Sequence, residues 1–250
     1  MKFPVIRYRR AAMMLGLAIS VVATLPTASA NTIVINSGSS VTFLNSGIVD
    51  GDFPAPITAA EFSAAQTGPH AAVVSSIPTG YWVPSLTNGP GAVWIGTNSN
   101  AGNASGGTGD TALYAASFTL PTNVTSASLT LYYAIDNELG YTNPGLYING
   151  TALPNSTAIA CSGNCAGDYD QQNTYTDASI TALLTPGTNW IYFDAVNLGL
   201  QGGILFSADI TYTPTPEPSS ALLMGIGVLA LAFVARRKRA TLVSVGQPAA

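Results

Sequence analysis

Short runs of apolar and β-branched residues recur along the middle of the chain, separated by clusters of Gly, Asn, Pro and Ser. The clearest alternation lies between Ser128 and Ile135, where Leu129, Leu131, Tyr133 and Ile135 share one side. A period of two predicts a strand with one buried and one solvated face. Repeated short strands between turn clusters predict an all-β fold, a jelly-roll-like antiparallel β-sandwich.

The same reading locates the other elements of the sandwich. Further strands are predicted at residues 32–35, 41–44, 92–95, 113–120, 190–196 and 206–212. A helix is predicted at Pro56–Gln66 with Thr58 as its N-cap, and a helical turn at 177–184. Asn149-Gly150 supplies the positive φ angles of a tight hairpin, and Pro186-Gly187 predicts a type II turn.

The chain begins with basic residues, an apolar run from Ala11 to about Leu25, and then Ala28-Ser29-Ala30. This order predicts a secretory signal peptide over residues 1–30, cut after Ala30 by signal peptidase. A short membrane anchor is the alternative, but the run is shorter than the roughly 20 residues that a bilayer core requires.

The basic residues are confined to the two ends of the chain. All twelve Asp and Glu lie between residues 50 and 217, where there is no Lys or Arg. The eight basic residues are Lys2, Arg7, Arg9, Arg10, Arg236, Arg237, Lys238 and Arg239. An acidic middle repels phosphate backbones and lacks the contacts that dominate nucleic-acid affinity, so nucleic-acid binding is excluded.

A second apolar run, Ala221 to Ala235, carries no charge and is followed directly by Arg236, Arg237, Lys238 and Arg239. It predicts a single C-terminal apolar helix that enters the membrane with the basic cluster on the cytoplasmic side. Alternating prolines at 214–218 keep the preceding segment extended and accessible to an enzyme cleft.

Pro216-Glu217-Pro218, the apolar run and the basic cluster occur in the order that resembles the PEP-CTERM sorting signal, over residues 214–239. The resemblance implies recognition and removal of the tail by an exosortase, a membrane cysteine transpeptidase of bacteria that make exopolysaccharide. The protein would then pass through the inner membrane to the cell surface or extracellular matrix. Residues 240–250 depart from the family pattern. An ordinary single-span anchor is the alternative.

Residues 31–213 are expected to form one secreted domain. Three segments within 118–212 resemble a galactose-binding-like jelly roll: 132–138, which ends in Asp-Asn-Glu, 146–150, and 177–190 with its Leu-Leu-Thr-Pro-Gly-Thr-Asn turn. The resemblance implies the fold and leaves the ligand open.

The inventory of reactive residues gives catalysis little support, and we expect a protein that is not an enzyme. His70 is the single histidine and lies beside a turn signal, and no lysine is available as an alternative base. Acidic loop residues in such a domain more often bind calcium or face solvent than hydrolyse glycosides. Calcium is therefore the one cofactor candidate, at Asp168 and Asp170, although the residues that follow do not fit an EF-hand.

Cys161 and Cys165 flank a Ser-Gly-Asn turn. In an exported domain, an oxidising compartment favours a disulfide that staples this loop. A reactive thiol is the alternative, but no cationic neighbour would lower its pKa.

Two interpretations of the domain remain open. It is a carbohydrate-binding module for exopolysaccharide, in which aromatic rings stack on sugars beside carboxylates and amides. The loop residues that would do this are Asp136, Asn137, Glu138, Tyr141 and Tyr169. Alternatively, it is a structural matrix component whose acidic surface keeps it soluble or binds divalent cations.

Overall fold

A computed structural model describes residues 29–48, 51–75, 81–102, 109–121, 123–157, 168–215 and 225–233. Ser29–Pro214 forms one compact unit. Several features predicted from sequence lie outside the described residues. They are the signal segment up to Ala28, the pair Cys161 and Cys165, the motif Pro216-Glu217-Pro218, the cluster Arg236 to Arg239, and the tail 240–250.

The described part of the unit consists mainly of β-strands. They are β1 Asn31–Asn36, β2 Thr42–Asn45, β3 Ala72–Val73, β4 Ile95–Gly96, β5 Ala112–Leu120, β6 Val124–Asp136, β7 Glu138–Leu139, β8 Leu146–Ile148, β9 Thr151–Ala152, β10 Asn173–Asp177, β11 Gly187–Val196 and β12 Gly203–Pro214. Helix α1 covers Ala59–Thr67, and a 3-10 turn covers Thr181–Leu183.

The strands form two sheets in which every pairing is antiparallel. Sheet A has the order β10-β6-β12-β4-β3, with β1 also paired to β12. Sheet B has the order β2-β5-β11-β8-β9, with β7 also paired to β11. The two sheets pack face to face, which confirms the predicted β-sandwich.

The core between the sheets is made by alternate residues of the long strands. Leu129, Leu131, Tyr133 and Ile135 are all at most 1% exposed, as the period-two pattern predicts. Rings from the two sheets also meet directly, with Phe193 and Phe206 stacked at a centroid distance of 4.0 Å. Full burial of a side chain of this size contributes about 1.5–3 kcal/mol, so this layer supplies much of the stability.

Part of the outer face of sheet A is also covered. Trp82 and Trp94, from the segment between β3 and β4, form a buried cluster with Ala134 of β6 and Leu205 of β12. Ser207 of β12, which alternation places on the outer face, is only 1% exposed. The prediction of a solvated face is wrong here because this long segment lies over it.

That segment also accounts for a second difference. A strand was expected at 92–95, but only Ile95–Gly96 joins the sheet. Ala92 and Trp94 pack into the outer cluster, and the amide of Val93 donates to the carbonyl of Ser37, 3.2 Å away. The apolar run therefore covers a sheet instead of extending one.

Part of the outer face of sheet B is covered by helix α1. Thr58 caps this helix with a reciprocal capping box to Glu61, which confirms the predicted N-cap. Phe62 then packs against Tyr147 and Tyr192, with ring centroids at 4.9 and 4.8 Å.

The predicted turns are also confirmed. Asn149 and Gly150 have φ angles of 50° and 80° and connect β8 to β9. Gly187 has a φ of 88°, the positive value that the third residue of a type II turn requires.

A separate helix covers residues 225–233, within the predicted apolar run, and its residues are mostly exposed. Among the described residues, no helix has both the length and the apolar character needed to cross a bilayer.

Candidate functional site

Asp136 stands at the end of β6, where the strand leaves sheet A. Alternation places it on the outer face with Ala134, and there the indole Nε1 of Trp82 donates a 2.9 Å hydrogen bond to its Oδ2. Burial raises the pKa of Asp136 to about 6, although the Trp82 bond lowers it in part. Among the described residues, no hydrogen bond to its Oδ1 is present.

Aromatic residues surround this carboxyl. The rings of Trp82 and Trp94 lie 4.2 Å apart, and the amide of Val83 donates to the carbonyl of Tyr169 at 2.7 Å. Tyr169 packs partly buried against the same cluster, whereas Tyr81, next to Trp82, is 66% exposed. We call Tyr81, Trp82, Asp136 and Tyr169 the Trp82 surface.

Amide groups fix the loops that carry this surface. Gln172 Nε2 donates to Asn88 Oδ1 at 3.1 Å, and Gln172 Oε1 accepts from the amide of Asn88 at 3.0 Å. These bonds tie the segment that contains Tyr169 to the one that contains Trp82. The Trp82 surface is therefore preorganised by contacts on both sides.

The two predicted site residues that follow Asp136 lie among contacts within the protein. The amide of Asn137 donates to Val196, and its Oδ1 accepts from the amide of Leu198 at 2.7 Å. Glu138 is 3% exposed. This burial raises its pKa, and the charges of Asp168 and Asp52 raise it further. Asn137 and Glu138 therefore face the protein instead of an external ligand.

Asp168 is also buried, at 6% exposure. Its main-chain carbonyl accepts from the amide of Ile135 at 3.0 Å, and its Oδ2 has no hydrogen-bond partner within the described residues. Burial, and then the charge of Asp170, raises the pKa of Asp168 to about 6. In the described part of the chain, no group of three or more His, Cys, Asp and Glu could hold a metal ion. Calcium at Asp168 and Asp170 stays a prediction.

Tyr141 lies on a loop that is held by a different set of contacts. It is 51% exposed on the loop after β7, where the amide and hydroxyl of Thr142 and the amide of Asn143 all donate to Asp52 Oδ2, at 2.7, 2.7 and 2.9 Å. Burial, and then the charge of Asp52, raises the pKa of Asp194 in β11. Tyr169, by contrast, packs against the cluster of Trp82 and Trp94.

Sequence reasoning missed Tyr81, Trp82, Asp52 and Asp194. Two adjacent aromatic residues in a Gly- and Pro-rich segment were a usable signal for the first two. A carboxylate inside the apolar strand Trp190 to Val196 was a signal for Asp194.

The segment that follows the sandwich decides the identification. Residues 214–239 match a family model described as the PEP-CTERM protein-sorting motif. The chain carries a PEP-CTERM motif. It begins at Pro214, the last residue of β12, so the sorting signal follows the sandwich without a spacer. The PEP-CTERM motif implies an exported protein that an exosortase processes.

Comparisons of the whole chain are more distant. A search among curated proteins finds no match. A family 35 carbohydrate-binding module from Clostridium thermocellum is similar at 12% identity and a TM-score of 0.36, covering 72% of this chain and 97% of that one. An exo-β-1,3-galactanase from Phanerochaete chrysosporium is similar at 18% identity and a TM-score of 0.24, covering 50% of this chain and 24% of that one.

Proposed function

We propose that this PEP-CTERM protein is a carbohydrate-binding component of the cell surface or extracellular matrix, and that exopolysaccharide is its ligand. The observation that carries the proposal is the Trp82 surface. There, Trp82 donates a hydrogen bond to the Asp136 carboxyl, Tyr81 next to it is exposed, and Tyr169 packs partly buried against the same cluster. Aromatic rings stack on the apolar faces of sugars, while carboxylates and amides accept hydrogen bonds from the hydroxyls.

The segment that covers part of sheet A supports the choice of this surface. Trp82 and Trp94 of this segment bury part of the outer face of sheet A, while Tyr81, next to Trp82, stays exposed. Tyr81 is the most exposed tyrosine among the described residues that the fold presents there.

Tyr141 is a weaker candidate for the same role. The carboxylate beside its loop, Asp52, already accepts hydrogen bonds from Thr142, Asn143 and Phe53, so it has little capacity left for sugar hydroxyls. At the Trp82 surface, by contrast, the described residues donate one hydrogen bond to the Asp136 carboxyl, from Trp82.

The test is binding of the purified full-length chain, in detergent, to an array of neutral and acidic bacterial polysaccharide fragments. We expect Tyr81→Ala and Tyr169→Ala each to weaken binding about tenfold, which corresponds to about 1.4 kcal/mol. Tyr141→Ala is the matched control, since it removes a similarly exposed ring from another loop, and it should bind like the parent.

Two results would contradict the proposal. Absence of binding to every fragment would favour a structural matrix component. Binding that survives both Tyr81→Ala and Tyr169→Ala but is lost in Tyr141→Ala would move the site to the loop held by Asp52.

A further inference from the structure

The two ends of the sandwich lie side by side. Strand β1 begins at Asn31, which pairs with Tyr212 near the end of β12, and the antiparallel register continues to Asn36 and Ser207. The chain therefore enters the sandwich at the same end of sheet A at which it leaves, at Pro214. The predicted signal cleavage site and the PEP-CTERM motif thus join the domain at one end.

Two turns complete this end of the sandwich. The turn between β5 and β6 reaches it, because Val124 pairs with Pro214. The 3-10 turn reaches it as well, since Thr181 Oγ1 accepts from the amide of Ala127 at 2.8 Å, and Ala127 pairs with Tyr212. The start of β11 lies beside the first of these turns. We call this end the terminal pole, which consists of residues 31–32, 121, 123–126, 181–188 and 211–214.

The terminal pole is uncharged. Among its described residues there is no Asp, Glu, Lys, Arg or His. Its exposed side chains are Asn, Thr, Ser, Pro and Ala, and its Val and Leu side chains are half-buried. The carboxylates of sheet A that come next along the strands are Asp177, opposite Leu129, and Asp209, opposite Thr130.

The opposite end of the same strands carries a group of acidic residues. Asp136 ends β6 and lies opposite Gly203, the first residue of β12. The main-chain carbonyl of Asp168 accepts from the amide of Ile135 at 3.0 Å, which brings its loop to the same end. The Trp82 surface lies here too, because Trp82 donates to Asp136. This end, the acidic pole, carries Asp136, Glu138, Asp168 and Asp170.

The two poles are further apart than the segment after the sandwich can reach. Between Gly203 and Tyr212, β12 spans about 30 Å at about 3.3 Å per residue. Only residues 215–220 separate Pro214 from the apolar run that begins at Ala221, and six residues extend at most about 21 Å. With the apolar run in a membrane, this tether cannot place the acidic pole on the lipid and the terminal pole outermost.

Electrostatics favours an upright sandwich over one that lies on its side. Anionic lipids give a bilayer surface a negative potential, which decays over a Debye length of about 8–10 Å in physiological salt. The uncharged terminal pole can enter this layer without repulsion. A sandwich on its side would bring the acidic pole into the layer, whereas an upright one keeps it about 30 Å away.

We propose that the terminal pole is the surface of the sandwich that contacts the lipid bilayer while the chain is attached to it, with the acidic pole outermost. The partner is the headgroup layer of the membrane. The Trp82 surface is then open to ligands before the C-terminal tail is removed. The orientation follows from the tether and the charges, so it does not depend on sugar binding.

The test is energy transfer from a donor dye on the full-length chain to acceptor dyes on lipid headgroups, in vesicles of phosphatidylethanolamine and phosphatidylglycerol. The dye is attached through Ala182→Cys at the terminal pole or Gln201→Cys beside Gly203, both at exposed positions. Each variant also carries Cys161→Ser and Cys165→Ser, and only protein that floats with the vesicles is measured. Transfer from position 182 should be at least about threefold higher, because about 30 Å of strand separates the two positions.

Thr188→Cys provides a second exposed position at the terminal pole and should give transfer like that from position 182, so the test does not depend on the folding of one variant. Equal transfer from positions 182 and 201 would show a sandwich on its side and overturn the proposal, as would higher transfer from position 201. Failure of the chain to float with the vesicles would overturn it too. No polysaccharide is present, so these results are distinct from those of the array.

Discussion

The side-chain amide of Asn149 donates a 2.8 Å hydrogen bond to the side-chain oxygen of Asn189, and so joins the β8–β9 hairpin to the turn that begins β11. Asn189 is 0% exposed, accepts from the amide of Thr185, and donates to the carbonyls of Thr185 and Gly187. The buried side chain of Asn189 therefore provides hydrogen-bond partners to polar groups of two turns at once.

Asn189→Ala should consequently lower the free energy of unfolding by about 3 kcal/mol, because several buried polar groups lose their partners together. Thr188→Ala, a neighbouring exposed position, should change it by less than about 0.5 kcal/mol. Urea denaturation of the two variants and the parent measures the difference. Equal effects of the two substitutions would show that the network does not hold the turns.

The buried carboxyl of Asp136 makes a prediction about pH. The free carboxyl titrates near pH 4, whereas burial raises the pKa in the folded protein to about 6. Between these values the folded state binds more protons than the unfolded state, so this group lowers stability as the pH rises from about 4 to about 6. Asp136→Asn cannot ionise and can still accept from Trp82.

We therefore expect Asp136→Asn to lose less stability than the parent between pH 4.5 and 7. Thermal melts over this range measure the slope. A slope that is unchanged in Asp136→Asn would contradict the assigned role of its burial.

Much of the sandwich could be predicted because the signals are local. The alternation of β6, the cap of α1 at Thr58, and the positive φ angles at Asn149 and Gly187 each depend on neighbouring residues. The covering of the outer faces could not be predicted in this way. An apolar run such as 92–95 has the same composition whether it joins a sheet or lies over one.

The residues of the candidate site also divide into those that local sequence predicts and those that it does not. Asp136 and Tyr169 could be named because they lie in loops rich in acidic and aromatic residues. Trp82 and Asp136 are far apart in the sequence, and only the packing of the segment between β3 and β4 onto sheet A brings them together. No local pattern shows a contact of this kind.

The composition predicts an unusual result for proteolysis and export. Because no Lys or Arg lies between Arg10 and Arg236, trypsin should leave the sandwich uncut even when it is unfolded. The intact mass of the protein recovered from the cell surface should therefore give the position of the mature N-terminus, which we expect at Asn31. A mature species that retains residues 1–30 would contradict the signal peptide.

The central claim is that the PEP-CTERM motif is read by a sorting enzyme. Glu217→Ala leaves the apolar run and the basic cluster intact, so insertion into the membrane should be unchanged and only processing should fail.

The most direct measurement is the intact mass of the parent and of Glu217→Ala, each expressed in a host that possesses an exosortase. The parent should yield a form that has lost residues 221–250, whereas Glu217→Ala should accumulate in the inner membrane with its C-terminus complete. Identical masses for the two proteins would contradict processing at the motif and would leave an ordinary membrane anchor as the explanation.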